Sequence, residues 1–406
     1  MNLLLVKKSD IGFFSVPIFN AVTSLAKIII IMMFAINTSM IAQIENISMI
    51  LEMVSFALIS PLFFIFKKQN KNLNSNIFLK SITIFLIFSL LIIFLIEPIQ
   101  NVLNIKDMTT FLRIAVIGIF LSFILTFLQT MISVNKPEIL LKLAAVKTFI
   151  AILLMITLFS KFGEFGVLYA EISINLVCII IAASICIKEN FFEIKNIKNE
   201  KINLLNNSGV VLVQTIIDTT ATVFFLKAYI NKISFAGDFW FMDRAITMAY
   251  FLIINGFCEK IKSVKTEYMT RKLLTNILKI IILITLLMPL WINLGYLLGL
   301  PKENTQLFIL FALMSMPKMI TSLFYSWFIS SGKQIYTIFP AIVNLIVCII
   351  IFTILNRFDI FLNYYDFLIV YGILLSIKML TMVLSYIFCI KQIKFWHFQQ
   401  KISNVF

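Results

Sequence analysis

Charge is scarce in this sequence. Asp, Glu, Lys and Arg make up 13% of its 406 residues, about half the ~25% of an ordinary soluble domain. So few charged side chains cannot cover a water-facing surface of that size. Histidine occurs once, at His397, which excludes a zinc site, a Cys–His pair and a Ser–His–Asp set. The five cysteines (Cys178, Cys186, Cys258, Cys348 and Cys389) lie in or beside apolar stretches with no CxxC pair, so they read as small buried hydrophobes. Gly332-Lys333 lacks the upstream glycine of a phosphate loop and is followed by Gln334 where Ser or Thr is needed. No ATPase, cofactor site or soluble-enzyme chemistry is expected, and any transport is secondary or facilitated.

What is abundant is apolar surface: 61% of the residues are hydrophobic and 42 are Phe. Runs of about 20 apolar residues, enough to cross a ~30 Å hydrocarbon core, recur along the whole length. Broken at clusters of Lys, Asn, Gly or Pro, they predict helices at 11–36, 44–66, 78–99, 109–133, 139–160 and 166–187. A second set is predicted at 207–230, 238–258, 275–299, 305–331, 335–356 and 366–390. The first run is too long for a signal-peptide core and reads as a membrane anchor. The net charge of +15 is spread between apolar segments and forms no clustered basic face, which argues against nucleic acid.

Lys and Arg in alternate connections divide 21 against 6. By the positive-inside rule the richer side is cytoplasmic. The alternation never breaks, so an even number of spans with both termini in the cytoplasm is expected. The Ile, Phe, Lys and Asn bias fits an AT-rich bacterial genome, hence a bacterial inner membrane. The charged connection from Lys188 to Lys201 divides the helices six and six, predicting an N-terminal lobe over 1–200 and a C-terminal lobe over 201–406. Val134-Asn135-Lys136 and Ser331-Gly332-Lys333 mark corresponding turns in the two halves, and Lys27 and Lys227 corresponding places in their first helices. This pattern fits parallel repeats.

Ionisable residues inside the predicted spans carry the functional signal, because a charge at the bilayer centre costs ~2.5–3.5 kcal/mol on insertion scales and needs a partner or a wet cavity. Lys318 is central in its helix, and Ser315, Ser322 and Tyr325 or Ser326 share its face. Lys378 is also central, on one face with Tyr371 and Ser385. Asp218 stacks with Gln214 and Thr222. It reads either as a proton- or sodium-coupling carboxylate or as the fixed partner of Lys318 or Lys378. Lys27 follows Asn20 and Ser24, Lys227 follows Asp218 and Thr222, and Lys147, Arg244, Glu52, Glu171 with Asn175, and Asp243 complete the set. Six cations face four acids. That surplus suits an anionic substrate such as a phosphate or pyrophosphate headgroup. Ion pairs that merely tie helices together are the structural alternative.

Three stretches carry a family resemblance. Leu226 to Trp240 looks like a passage from an opening helix through a short outer loop to Gly237 and an aromatic. Ser331-Gly332-Lys333-Gln334 looks like a small cytoplasmic turn after the fourth helix of a repeat, and Gly163-Glu164-Phe165-Gly166 like a glycine-marked outer turn before the sixth. In these, and in its six-plus-six layout, the chain resembles the polysaccharide-transporter branch of the multidrug, oligosaccharidyl-lipid and polysaccharide exporter superfamily, within it the O-antigen flippases. The first half departs from the pattern, since the loop from Asn37 to Gln43 has no glycine.

The resemblance implies an all-α polytopic membrane protein with two six-helix lobes around a cavity and alternating access. It also implies transfer of an undecaprenyl-pyrophosphate-linked oligosaccharide between leaflets, beside membrane lipids and the polysaccharide polymerase machinery. Lys27, Lys227, Lys318, Lys378, Lys147 and Arg244 are then the candidate substrate-binding residues. Asp218, Glu171, Glu52 and Asp243 are candidates for ion coupling or salt bridges. A multidrug antiporter of the same fold is the alternative. A membrane polysaccharide polymerase is disfavoured by the shortness of every predicted outer loop.

Overall fold

The computed structural model describes residues 11–34, 73–103, 109–193, 209–218, 220–221, 305–358 and 364–403, with positions 55, 59, 254, 256–258, 261, 279 and 293. The described chain is helical almost throughout. Its elements are α1 (Ile11–Met33), β1 (Leu73–Asn74), α2 (Ser75–Leu103), α3 (Thr109–Asn135), α4 (Pro137–Phe162), α5 (Glu164–Lys188), β2 (Phe192–Glu193) and α6 (Gly209–Asp218). They continue with α7 (Thr305–Ser331), a 3-10 turn (Gln334–Thr337), α8 (Ile338–Arg357) and α9 (Tyr364–Ser403).

Six helices among the described residues are long and apolar enough to cross a membrane. In hydrocarbon each backbone N–H and C=O must be satisfied within the segment, which a helix does and an open strand does not. The helices expected at 44–66, 238–258 and 275–299 lie outside the described residues, apart from single positions. The one expected at 207–230 is described through α6 and residues 220–221. Elsewhere the observed bounds fall close to the expected ones, with one clear difference. α9 continues past 390 to Ser403, because Lys391, Lys394 and Lys401 stop the apolar run without breaking helix geometry.

The turns explain their residues. Lys136 alone separates α3 from α4, and Pro137 takes the first helical position, where a missing N–H costs nothing. Gly163 alone separates α4 from α5 with φ +54°. A Cβ on Gly166 would stand 2.3 Å from the Leu158 carbonyl oxygen, so both glycines of this turn are required.

α5 and α7 end in the same cap. Asn190 (φ +53°) donates to the Ile187 carbonyl and Phe191 to that of Cys186, while Gly332 (φ +69°) donates to Ile329 and Lys333 to Phe328. Both are Schellman motifs, which need a residue tolerant of positive φ just past the helix. Beyond the first cap, Leu73↔Phe192 and Asn74↔Glu193 form a parallel ladder of two residues per strand, a contact no periodicity announces.

Buried apolar residues form two clusters, one drawn from Ile30 to Phe191 and one from Ala221 to Cys389. Aromatic rings supply much of each: Phe85 stacks on Phe123 at 4.2 Å between centroids, and Trp327 meets Tyr386 edge-on at 4.9 Å.

Ion pairs at the helix ends fix relative sidedness. Arg113 lies 3.5 Å from Glu97, joining the start of α3 to the end of α2. Lys136 pairs with Glu189, joining the α3–α4 turn to the end of α5. The ends of α3 and α5 therefore share one side and the end of α2 takes the other, in the order that the loop charges predict.

Candidate functional site

Lys27 lies six residues before Met33 and Glu171 seven after Glu164, so each is ~10 Å from its helix end. Their pairing requires the end of α1 and the start of α5 to lie on one side of the bundle. Lys27 Nζ donates to Glu171 Oε1 at 2.6 Å. One turn earlier on α1, Thr23 Oγ1 lies 2.9 Å from Thr148 Oγ1 of α4, and both hydroxyls reach the Phe19 carbonyl oxygen. These bonds fix α1 against α4. Lys147 is next to Thr148 in the chain, so α4 brings it to the same region of the bundle. Asn175, grouped with Glu171 by sequence, donates instead to the Gly118 carbonyl of α3 at 3.2 Å and serves packing.

The second constellation joins α6, α7 and α9. Tyr325 donates its hydroxyl to Gln214 Oε1 at 2.6 Å, and Gln214 Nε2 donates to Asp218 Oδ2 at 2.5 Å. Lys378 Nζ lies 3.0 Å from Asp218 Oδ1, an ion-pair distance off hydrogen-bond alignment. Gln214 and Asp218 meet because residues four apart share a helix face. Of the two partners open to Asp218 on sequence grounds, the structure shows the pair with Lys378.

Lys318 stands thirteen residues from either end of α7, ~20 Å from each, directly after Pro317. The polar face read around it is arranged differently from a lined channel. Ser322 donates to the Lys318 carbonyl, Ser326 to that of Ser322 and Thr321 to that of Pro317. Hydroxyls in an apolar helix satisfy themselves on their own backbone in this way. Tyr325 of that face reaches another helix, through Gln214 of α6. Its role and that of Gln214 follow from geometry and were not among the sequence-derived candidates.

Of the ten candidate residues, Lys27, Lys147, Lys318, Lys378, Glu171 and Asp218 are described, while Lys227, Arg244, Glu52 and Asp243 lie outside the described residues. The described set is four lysines against two carboxylates. A buried ion pair is costly to desolvate, and removing one member costs more than removing both.

No protein-family model matches the chain, and no curated protein matches it. Solved structures do. A mutant of the Vibrio cholerae MATE transporter VcmN shares 15% identity over 95% of this chain and 97% of its own, with a TM-score of 0.69. A MATE mutant shares 13% over 95% of each chain, with a TM-score of 0.67. An outward-facing multidrug resistance MATE family transporter of the MOP superfamily shares 13% over 95% of this chain and 94% of its own, with a TM-score of 0.63. The likeness shows the fold. The chain is an all-α polytopic membrane protein that shares the fold of these structures, and six of its membrane-length helices lie among the described residues.

Proposed function

We propose that this protein is a flippase. It carries an undecaprenyl-pyrophosphate-linked oligosaccharide across a bacterial inner membrane by alternating access, for O-antigen or other surface polysaccharide. The observation that carries the reading is the set of four lysines, Lys27, Lys147, Lys318 and Lys378, within the described membrane helices. In a low-dielectric site an ammonium group attracts an anion strongly, and a diphosphate offers the charge to neutralise two. Lys27, Lys147, Lys318 and Lys378, joined by Lys227 and Arg244, attract the headgroup while the lipid tail stays in the bilayer. In this reading the lobes are residues 1–200 and 201–406, and the excess of Lys and Arg in alternate loops supports cytoplasmic termini. Glu171 and Asp218 exchange partners during the cycle.

The test is complementation of a flippase-deficient strain. The wild type restores surface polysaccharide, and Lys318→Met with Lys378→Met abolishes it while the protein stays inserted. Restoration by the double variant sinks the reading.

Similarity to MATE transporters, one of them described as a multidrug resistance protein, favours a second reading, a small-molecule antiporter. Efflux of cationic dyes that depends on Asp218 and Glu171, without complementation, selects it. A cavity with surplus cations repels such dyes, which is why the first reading leads.

A further inference from the structure

In each half of the chain a short turn between two long helices is tied to the helix that follows them. Lys136, the whole turn between α3 and α4, pairs with Glu189 at the end of α5. Tyr336, in the 3-10 turn between α7 and α8, donates its hydroxyl to Gln392 Oε1 of α9. The two contacts join residues 53 and 56 positions apart, so they stand at corresponding places, one made with charges and the other without.

The first tie continues along the chain. The N–H groups of Asn190 and Phe191 donate to the Ile187 and Cys186 carbonyls and close the cap of α5. The Phe191 side chain is buried in the first apolar cluster. Phe192 and Glu193 then pair with Leu73 and Asn74, just before α2. Residues 189–193 are therefore held in succession by the α3–α4 turn, by α5, by the apolar cluster and by β1. A ladder of two residues per strand is marginal by itself in water, so it forms because the cap and the ion pair deliver β2 to β1.

We propose that residues 189–193 are a clamp, closed by the Lys136–Glu189 pair, that fixes the start of the connection to the second half of the chain onto the first lobe. It rests on the two-lobe reading and on no particular substrate, so its failure leaves the flippase reading standing. Lys136 is 43% exposed and Glu189 28%, so salt screens the pair, whereas the neutral Tyr336–Gln392 tie does not respond to salt. A pair this exposed shifts an opening equilibrium by a factor of about five at most. The clamp is thus a latch that ionic strength loosens in the first lobe and leaves alone in the second.

The experiment is hydrogen–deuterium exchange of the whole protein in lipid nanodiscs, read on peptides covering 190–193, 73–74 and 334–337. It compares wild type, Lys136→Gln, Glu189→Gln and the charge-swapped Lys136→Glu with Glu189→Lys. Slow exchange at 190–193 is expected in the wild type. Each single variant is expected to speed it about two- to fivefold, together with 73–74, and the swapped pair to return it to the wild-type rate. About 1 M salt, where the Debye length is ~3 Å, is expected to reproduce the single-variant effect on the wild type while 334–337 stays unchanged. The salt arm needs no variant and decides the matter if a variant fails to fold. Free-chain exchange at 190–193 in the wild type overturns the clamp. So does a response at 190–193 without one at 73–74, a swapped pair no slower than the single variants, or no response to salt.

Discussion

Lys378 and Asp218 make the clearest case for what a membrane-embedded charge requires. Each is mostly buried and they lie 3.0 Å apart, so removing one leaves the other without its counter-charge. Loss of one member of a buried pair costs ~3–5 kcal/mol. Lys378→Met is therefore expected to lower the thermal midpoint of the detergent-solubilised protein sharply, and adding Asp218→Asn to restore most of the loss. A double-mutant cycle on unfolding checks this, and additive losses contradict the pair. Tyr325→Phe removes one hydroxyl that donates to Gln214 and is expected to cost about 1 kcal/mol, the net worth of a typical hydrogen bond. These residues also show what sequence can and cannot reveal. Asp218 and Lys378 were legible because a charge in an apolar run is conspicuous. Tyr325 and Gln214 were legible only as members of those polar faces; that the hydroxyl of one meets the amide of the other across two helices has no sequence signal.

At the scale of elements, the α4–α5 turn concentrates its constraints in two glycines. Gly163 has φ +54° and Gly166 lets the Leu158 carbonyl approach to where a Cβ would be 2.3 Å away. Gly166→Ala is expected to open the turn, lowering the yield of folded protein and costing ~1–3 kcal/mol, the range for overpacking. Yield and midpoint on size-exclusion and thermal melts check it, with Gly118→Ala as control, since a Cβ there meets Ile172 at an ordinary 3.6 Å. Helix bounds were readable because the bilayer imposes length and apolarity together. The Gly163, Asn135–Lys136 and Gly332 turns were readable because few residue types suit them. The β1–β2 ladder was not, since two residues per strand carry no period. The helical extension of α9 beyond Ile390 was missed for a related reason: polar helix and polar loop look alike once the membrane stops dictating composition.

For the whole molecule, the chain-long likeness to MATE transporters at 12–15% identity means that the fold is kept while most side chains differ. Fold then follows from apolar length and loop charge, which tolerate exchange, whereas function is argued from the site and not from the fold. In the flippase proposal the membrane-embedded lysines attract the headgroup of an anionic lipid. The direct measurement is translocation of a fluorescent polyprenyl-diphosphate-linked oligosaccharide in proteoliposomes, with a cationic dye run in parallel. Leaflet exchange of the diphosphate lipid by the wild type, at least tenfold slower exchange by Lys318→Met with Lys378→Met, and no dye transport are expected. Dye transport with an immobile diphosphate lipid contradicts the proposal.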